Sequence, residues 1–466
     1  MPLPTDIRVV ATSVYFIPVT LRIPLKFGPE VTTSVVCLRT CVRVCDRQGR
    51  QAEGWGETPL SVSWVWPGKL SVTERTERMK AFSIRLAQKL TQFDGCGHPM
   101  EIGYDFQKQV VLQELEQANA GAGTEAMPYL AALVCLSAFD IAVHDAFGNL
   151  HERDVYDCYD EAFMTRDLAS FLEPAEGSGV NFKGRYVSDY LARSVPKTMP
   201  VWHLVGGVDA LTADDLTGSE PDDGYPVQLD EWIKRDGLNC LKVKLRGTDS
   251  TWDYERLVRI GRMSLPNGLR WLSADFNCTV AQPAYVNDIL DRLLCEEPEI
   301  YAHTLYVEQP FAYELEHDML DVRSVSGRKP LFLDESAHDW EFVKLGRSLG
   351  WSGVALKTCK TQTGALLSLC WAKAHGMPLM VQDLTNPMLA MIPHARLAAH
   401  AGTIQGVECN GMQFYPEASL PEAAVHPGLY TRRNGMVDLS TLKGSGFGYR
   451  LQEINRTLPE AAATFG

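Results

Sequence analysis

The stretch Leu238-Asn-Cys-Leu-Lys-Val-Lys-Leu245 carries two lysines, Lys242 and Lys244, two residues apart in an apolar run. Side chains alternate faces along a β-strand, so as a strand it puts both ammonium groups on one face. Two like charges side by side on a buried face depress each other's pKa, which is how a lysine becomes a base near neutral pH. Three further apolar runs end in a carboxylate: Leu272-Ser-Ala-Asp275-Phe-Asn277, Leu305-Tyr-Val-Glu308-Gln-Pro310 and Leu331-Phe-Leu-Asp334-Glu-Ser336. Val354-Ala-Leu-Lys357 ends the same way in a lysine. As successive parallel strands of one barrel, all deliver their last residue to one mouth.

Strand-like ends recur at positions 204, 244, 275, 308, 334, 357, 383 and 409. Segments compatible with helix lie between them, at 252–263, 284–294, 314–325, 339–349 and 364–375. Eight strand ends with helical crossovers is the count of a (β/α)8 TIM barrel, an α/β fold. Upstream, alternation over 7–16 and 32–44 implies antiparallel strands, ending at Gly54-Trp-Gly-Glu57. Two loops interrupt this region, Ile23-Pro-Leu-Lys-Phe27-Gly-Pro-Glu30 and Val62-Ser-Trp64-Val-Trp66-Pro-Gly68. Residues 72–93 and 105–118 have helical composition, and 130–148 reads as a buried helix closed by glycine. The expected organisation is an α+β domain over 1–195, with insertions at about 94–128 and 151–195, then a barrel over 196–410. Residues 411–466 turn back onto the first domain. His144, inside the buried helix, reads as a packed histidine.

A formal net charge of -14 argues against nucleic acid or an anionic membrane as partner. No uninterrupted apolar run reaches transmembrane length, and Met1-Pro-Leu-Pro-Thr-Asp6 lacks the order of a signal peptide. The 12 cysteines are scattered, so reduced thiols and a cytoplasmic location are expected. Cys37, Cys41 and Cys45 share one face of a β-forming stretch and read as structural rather than as ligands of a soft metal.

Asp275, Glu308 and Asp334, on three consecutive strand ends, are hard oxygen donors with no clustered histidine or cysteine. That set favours Mg²⁺, with Mn²⁺ next. Lys244 and Lys357 would stand on opposite sides of such an ion. A dication between two lysines suits removal of the proton α to a carboxylate, because the dianionic enediolate formed is very unfavourable in water.

These motifs resemble the enolase superfamily, and most closely its branch of muconate lactonizing enzyme, o-succinylbenzoate synthase and the dipeptide epimerases. Gly54-Trp-Gly-Glu57 is similar to the end of that family's capping-domain sheet, and Ser137-Ala-Phe-Asp-Ile-Ala-Val-His-Asp145 to its long capping helix. Lys242-Val-Lys244, Asp275-Phe-Asn277, Val307-Glu308-Gln-Pro310, Asp334-Glu-Ser336 and Leu356-Lys357-Thr-Cys-Lys360 are similar to its barrel motifs. The resemblance implies a modified (β/α)8 barrel with an N-terminal α+β capping domain completed by C-terminal residues. It implies Lys244 and Lys357 as the two acid/base lysines, and Lys242 as a holder of the substrate carboxylate. Asp275, Glu308 and Asp334 become the Mg²⁺ ligands. The loops at Phe27 and Trp64 would close the mouth and meet the substrate, together with Asn277, Asp383 and Glu408.

Two departures narrow the reading. The seventh strand ends Gln382-Asp383-Leu-Thr-Asn386 without a histidine base, against a mandelate racemase-like dyad, and His394 reads as structural. The eighth reads Val407-Glu408-Cys-Asn410, where the dipeptide epimerases carry an Asp-x-Asp pair for the substrate ammonium; Asp383 or Glu408 could serve instead. The expected activity is racemisation or epimerisation of a small carboxylic or amino-acid-type substrate. A dehydratase or cycloisomerase lyase is the alternative, and a non-catalytic barrel a distant third. A homo-oligomer is expected for this fold.

Overall fold

Alternating β-formers near the N-terminus make two long antiparallel strands, β1 (Ile7–Phe27) and β2 (Glu30–Asp46), followed by β3 (Gln51–Pro59). The structure is a computed structural model and describes residues 2–27 and 30–466, apart from the side chains of Phe27 and Thr124. The site residue expected at Phe27 therefore falls, as a side chain, outside the described residues. A short strand near the end of the sequence, Ala463–Phe465, pairs with Thr12–Val14 on the free edge of β1 and adds a fourth strand to the first sheet.

Two helices pack on this sheet: α1 (Val72–Gln92), begun by a Ser71/Glu74 capping box, and α2 (Tyr129–Leu150). Helix α2 has the length and apolarity of a membrane span, but it is the buried centre of the domain. Its Ala138, Ala142 and Ala146 recur every four residues and meet Gly54 and Gly56 of β3. A Cβ on Gly56 would lie 2.0 Å from the Ala138 carbonyl oxygen, and one on Gly54 2.1 Å from the Ala146 nitrogen. Here the glycines of the Gly-Trp-Gly motif are required because helix and strand backbones touch. Gly56→Ala is expected to destabilise the protein by about 3 kcal/mol or more. A denaturant midpoint equal to that of the wild type would contradict this.

The barrel strands are β4 (Thr198–Val205), β5 (Cys240–Lys244), β6 (Trp271–Asp275), β7 (Thr304–Glu308), β8 (Leu331–Leu333), β9 (Gly353–Leu356), β10 (Leu379–Val381) and β11 (Val407–Glu408). They are parallel and run in the order β10-β9-β8-β7-β6-β5-β4-β11, a nearly closed eight-stranded barrel with helices outside. Strict alternation sorts their side chains. Leu241, Val243, Leu272, Val307, Leu331, Leu333, Val354, Leu356, Leu379 and Val381 face the helices in the large core. Trp202, Cys240, Tyr306, Phe332 and Met380 point inward and fill the bottom of the barrel. The next inward positions after Cys240, Tyr306 and Phe332 are the charged Lys242, Glu308 and Asp334, and after Met380 the amide Gln382.

Several local expectations change. The helix expected over 314–325 is two single turns, Leu315–Asp318 and Arg323–Ser326, because Met319 takes a left-handed conformation (φ 46°) that ends the first. The helix expected over 105–118 starts earlier, at Pro99, capped by His98. Trp64 lies in one turn of helix, Val62–Val65, rather than an open loop. Residues 151–195, expected as an insertion, are a chain of short turns, and Phe171, Leu172, Phe182 and Val187 among them join the barrel core.

His144, as expected, is packed: its ring nitrogens meet the Tyr159 hydroxyl at 2.8 Å and Thr363 Oγ1 at 3.0 Å. Other histidines share this fate. Burial holds the imidazoles of His98 and His338 down at about 3, and those of His394 and His400 at about 4. An unfolded chain titrates them near about 6.5, so it binds more protons as pH falls below that value, and stability is lost down to the folded values. Burial also pushes the carboxyls of Asp140 and Asp145 up to about 6 and about 7, which favours the folded state on acidification. At about pH 5 each histidine removes up to about 2 kcal/mol and the two acids offset about half the total. The urea midpoint is therefore expected to fall between about pH 7 and about pH 5; a flat or rising midpoint would contradict it.

Candidate active site

Register brings the charged strand ends together. Lys244 on β5 pairs laterally with Asp275 on β6, and Asp275 with Glu308 on β7. Asp334 follows β8 and Lys357 follows β9. The Lys244 ammonium donates to Asp275, and Lys357 lies 3.2 Å from Asp334. The two lysines thus sit at opposite ends of the row of three acids, with Glu308 in the middle. Lys242, one layer deeper, donates to Glu308 at 2.7 Å, Gln382 at 3.1 Å and Glu408 at 3.3 Å.

Six carboxylates (Asp275, Glu308, Asp334, Glu335, Asp383, Glu408) and four ammonium groups (Lys242, Lys244, Lys357, Lys360) share this mouth, none more than 6% exposed. Fully ionised, six against four leave two negative charges uncompensated in a dry site, which is unfavourable. The titration directions carry this imbalance. Burial, then Asp275, pushes the Glu308 carboxyl far up despite Lys242. Burial works against the Asp275 and Asp334 charges too, but Lys244 and Lys242, and Lys357 and Lys360 respectively, overcome it and lower them. For Lys242, burial is outweighed by Glu308, Glu408 and Asp275, and its ammonium is held well above the usual range. The sequence expectation that the Lys242/Lys244 pair depresses its own pKa does not hold for Lys242, because the acids around it outnumber its like-charged neighbour.

The donor set fits a hard dication. Asp275, Glu308 and Asp334 supply oxygens only, the excess charge is two, and the buried Glu335 Oε2 has no hydrogen-bond partner. Among the described residues no three acids are already placed as a ligand group; each is turned onto a lysine.

The other expected site residues divide. The Trp64 indole N–H donates to Glu335 at 2.9 Å, and its ring lies 4.9 Å from Lys357 Nζ and 5.7 Å from that of Lys360. Asn277 donates to the same Glu335 oxygen at 3.0 Å. Glu408 accepts from Asn410 at 2.7 Å besides Lys242. Asp383 is committed elsewhere: its carboxylate accepts the backbone N–H groups of Thr385, Asn386 and Asn410. The side chain that reaches the barrel centre from this strand is its neighbour Gln382, which donates to Glu308 at 2.6 Å and to Tyr306 at 2.8 Å. Gln382 is inconspicuous in the sequence because it is uncharged; its strand parity with the inward-facing Met380 is the signal that marks it.

Positive φ values outside glycine mark the rim: Asn277 (43°), Cys278 (63°), Gln309 (30°), Thr361 (74°) and Thr385 (51°), each just beyond a barrel strand. Strained backbone persists where surrounding structure imposes it and clusters at working sites. Gln309 has a visible task, accepting the backbone N–H of Asp334 at 2.8 Å and so fixing that acid. The large cleft of about 670 Å³ between Trp55, Asn149 and Arg450 is lined by none of the site residues.

Residues 225–454 match the family model described as enolase C-terminal domain-like. A curated relative, the aromatic dipeptide epimerase of Herpetosiphon aurantiacus, is 27% identical over 286 residues, covering 60% of this chain and 76% of the relative. Among solved structures, muconate lactonizing enzyme from Mucobacterium smegmatis, complexed with muconolactone, aligns with a TM-score of 0.60 at 16% identity over 95% of this chain and 96% of that one. The dipeptide epimerase of Cytophaga hutchinsonii, complexed with Mg and D-Ala-L-Val, aligns with a TM-score of 0.57 at 17% identity over 88% and 89%.

Proposed function

We propose that this enzyme, whose barrel residues 225–454 belong to the enolase C-terminal domain-like family, removes the proton α to a carboxylate and returns one to the opposite face. The observation that carries this is the placement of Lys244 and Lys357 at the two ends of a row of three acids. A substrate lying across that row would present one face of its α-carbon to each Nζ. The neutral lysine takes the proton; the cationic one delivers its own to the other face, inverting the centre. Asp275, Glu308 and Asp334 would hold Mg²⁺, whose positive charge would stabilise the enediolate. Lys242, with its hydrogen bonds already on Glu308, Gln382 and Glu408, keeps the floor of the site neutral and rigid. Trp64 and the almost complete burial of the ten charged groups keep water out. The curated relative supports an amino-acid-type or dipeptide carboxylate as substrate, and Glu408, an acid at the end of β11, is the group we assign to a substrate ammonium.

A lyase outcome has one observation in its favour. Asp334 holds Lys357 charged against the effect of burial, which suits a lysine that acts only as a cation while a leaving group departs from the substrate. Incubation with Mg²⁺ in D₂O and a panel of dipeptides, N-acyl amino acids and sugar acids, followed by NMR, separates the two. Deuterium at the α-carbon of both epimers, with their sum constant, is the expected result. An unsaturated or keto product would establish the lyase, and no α-exchange with any member would count against both.

A further inference from the structure

The turn that seats Trp64 on the mouth is tied from behind by the capping sheet. Arg75, only 2% exposed, stands in the first turn of α1, where the Ser71/Glu74 capping box fixes the backbone. Its guanidinium donates to the carbonyl of Trp66, just past the turn, and to Glu30 Oε2 at 3.0 Å; Nη1 lies 2.9 Å from Glu30 Oε1. A second tie joins the same two segments: Thr32 Oγ1 donates to Ser63 Oγ at 3.0 Å. Glu30 and Thr32 open β2, so the strand start and the 62–65 turn are bound into one piece.

We propose that Arg75 is a positioning residue for the reaction above, acting through Trp64 together with Glu30 and Thr32. A buried arginine is weak support for a fold, since an apolar side chain of similar size would hold α1 in place as well. What the guanidinium adds is direction: its paired, charge-assisted bonds reach only the two segments that set Trp64. The indole then lies against Lys357 and Lys360 and donates to Glu335, so a shift of the turn moves one wall of the site and uncovers an acid/base lysine. The inference rests on Lys357 having that role, and its test does not need turnover.

The chain has ten tryptophans. With 5-fluorotryptophan incorporated, Trp64→Phe identifies the ¹⁹F line of Trp64, and Trp202, 1% exposed in the barrel bottom, serves as the internal control. In Arg75→Lys and Glu30→Gln the Trp64 line is expected to shift and to acquire an H₂O/D₂O solvent-isotope shift that it lacks in the wild type, while Trp202 stays put. Thr32→Val should give a smaller shift of the same line. The proposal is overturned if Trp64 is unmoved in both charge variants. It is equally overturned if Trp202 moves with it, since Arg75 would then be holding the fold rather than the turn. Absence of α-proton exchange in the wild type would sink the proposed reaction but leave this spectrum unaffected, so the two failures are distinguishable.

Discussion

Lys357→Ala is expected to abolish interconversion of substrate configurations, with a loss of about 10²–10⁴-fold or more, the range for removal of a general acid or base. Lys244→Ala should do the same. The two variants should differ in what they retain. Each keeps the lysine on one face, so each should still exchange the α-proton of the epimer whose proton points at that lysine, with retention of configuration. The geometry behind this is the separation of the pair along the row of acids, Lys244 on Asp275 and Lys357 on Asp334. A Lys357→Ala variant that still inverts its substrate would remove the two-base mechanism. One that loses both exchange and product formation while Lys244→Ala does so too, on a substrate that eliminates, would move the enzyme to the lyase reading.

The second large effect is on stability. Lys242 is 1% exposed and touches Asp275, Glu308 and Glu408 within 3.3 Å. Lys242→Met preserves the stem but leaves Glu308 and Glu408 without their nearest cation, while Asp275 keeps Lys244. Breaking a buried ion pair by removing one partner typically destabilises by about 3–5 kcal/mol, because the remaining charge is stranded. Among the described residues Glu308 and Glu408 pair with no other lysine, so the upper end is expected, read as a lowered urea midpoint in chelator-treated protein. Lys242→Met together with Glu308→Gln should recover part of the loss, since one stranded charge is then neutral. A single variant as stable as the wild type would mean that the mouth is wetter and better screened than its burial implies.

The barrel was legible because each of its strands is short, apolar and closed by a chemically distinctive residue. All eight expected strand ends lie within two residues of the observed ones. Parallel strands buried on both sides give such runs without needing any knowledge of their partners. Reading was weaker where the decisive contact is long-range. Asp383 drew attention by its charge, yet its carboxylate is taken up by backbone N–H groups of the turns after β10 and β11, while Gln382 reaches Glu308. No pattern in the sequence gives Glu335 or Lys360 a role, and only the fold brings Trp64, from a segment 271 residues away, against Glu335. The segment 151–195 reads only as an insertion because its polar and glycine-rich composition conceals nine side chains that are buried in the barrel core. The helix expected over 314–325 failed on one residue, Met319, whose left-handed backbone no periodicity reveals.

The uncompensated pair of charges at the mouth gives the most direct test. Titration calorimetry of Mg²⁺ into chelator-treated protein should give one ion bound per chain, with binding lost in Asp275→Asn and in Asp334→Asn and retained in Lys357→Ala. No binding to the wild type, or binding that survives both acid substitutions, would contradict a site built from Asp275, Glu308 and Asp334, and the enediolate chemistry proposed for it would fall as well.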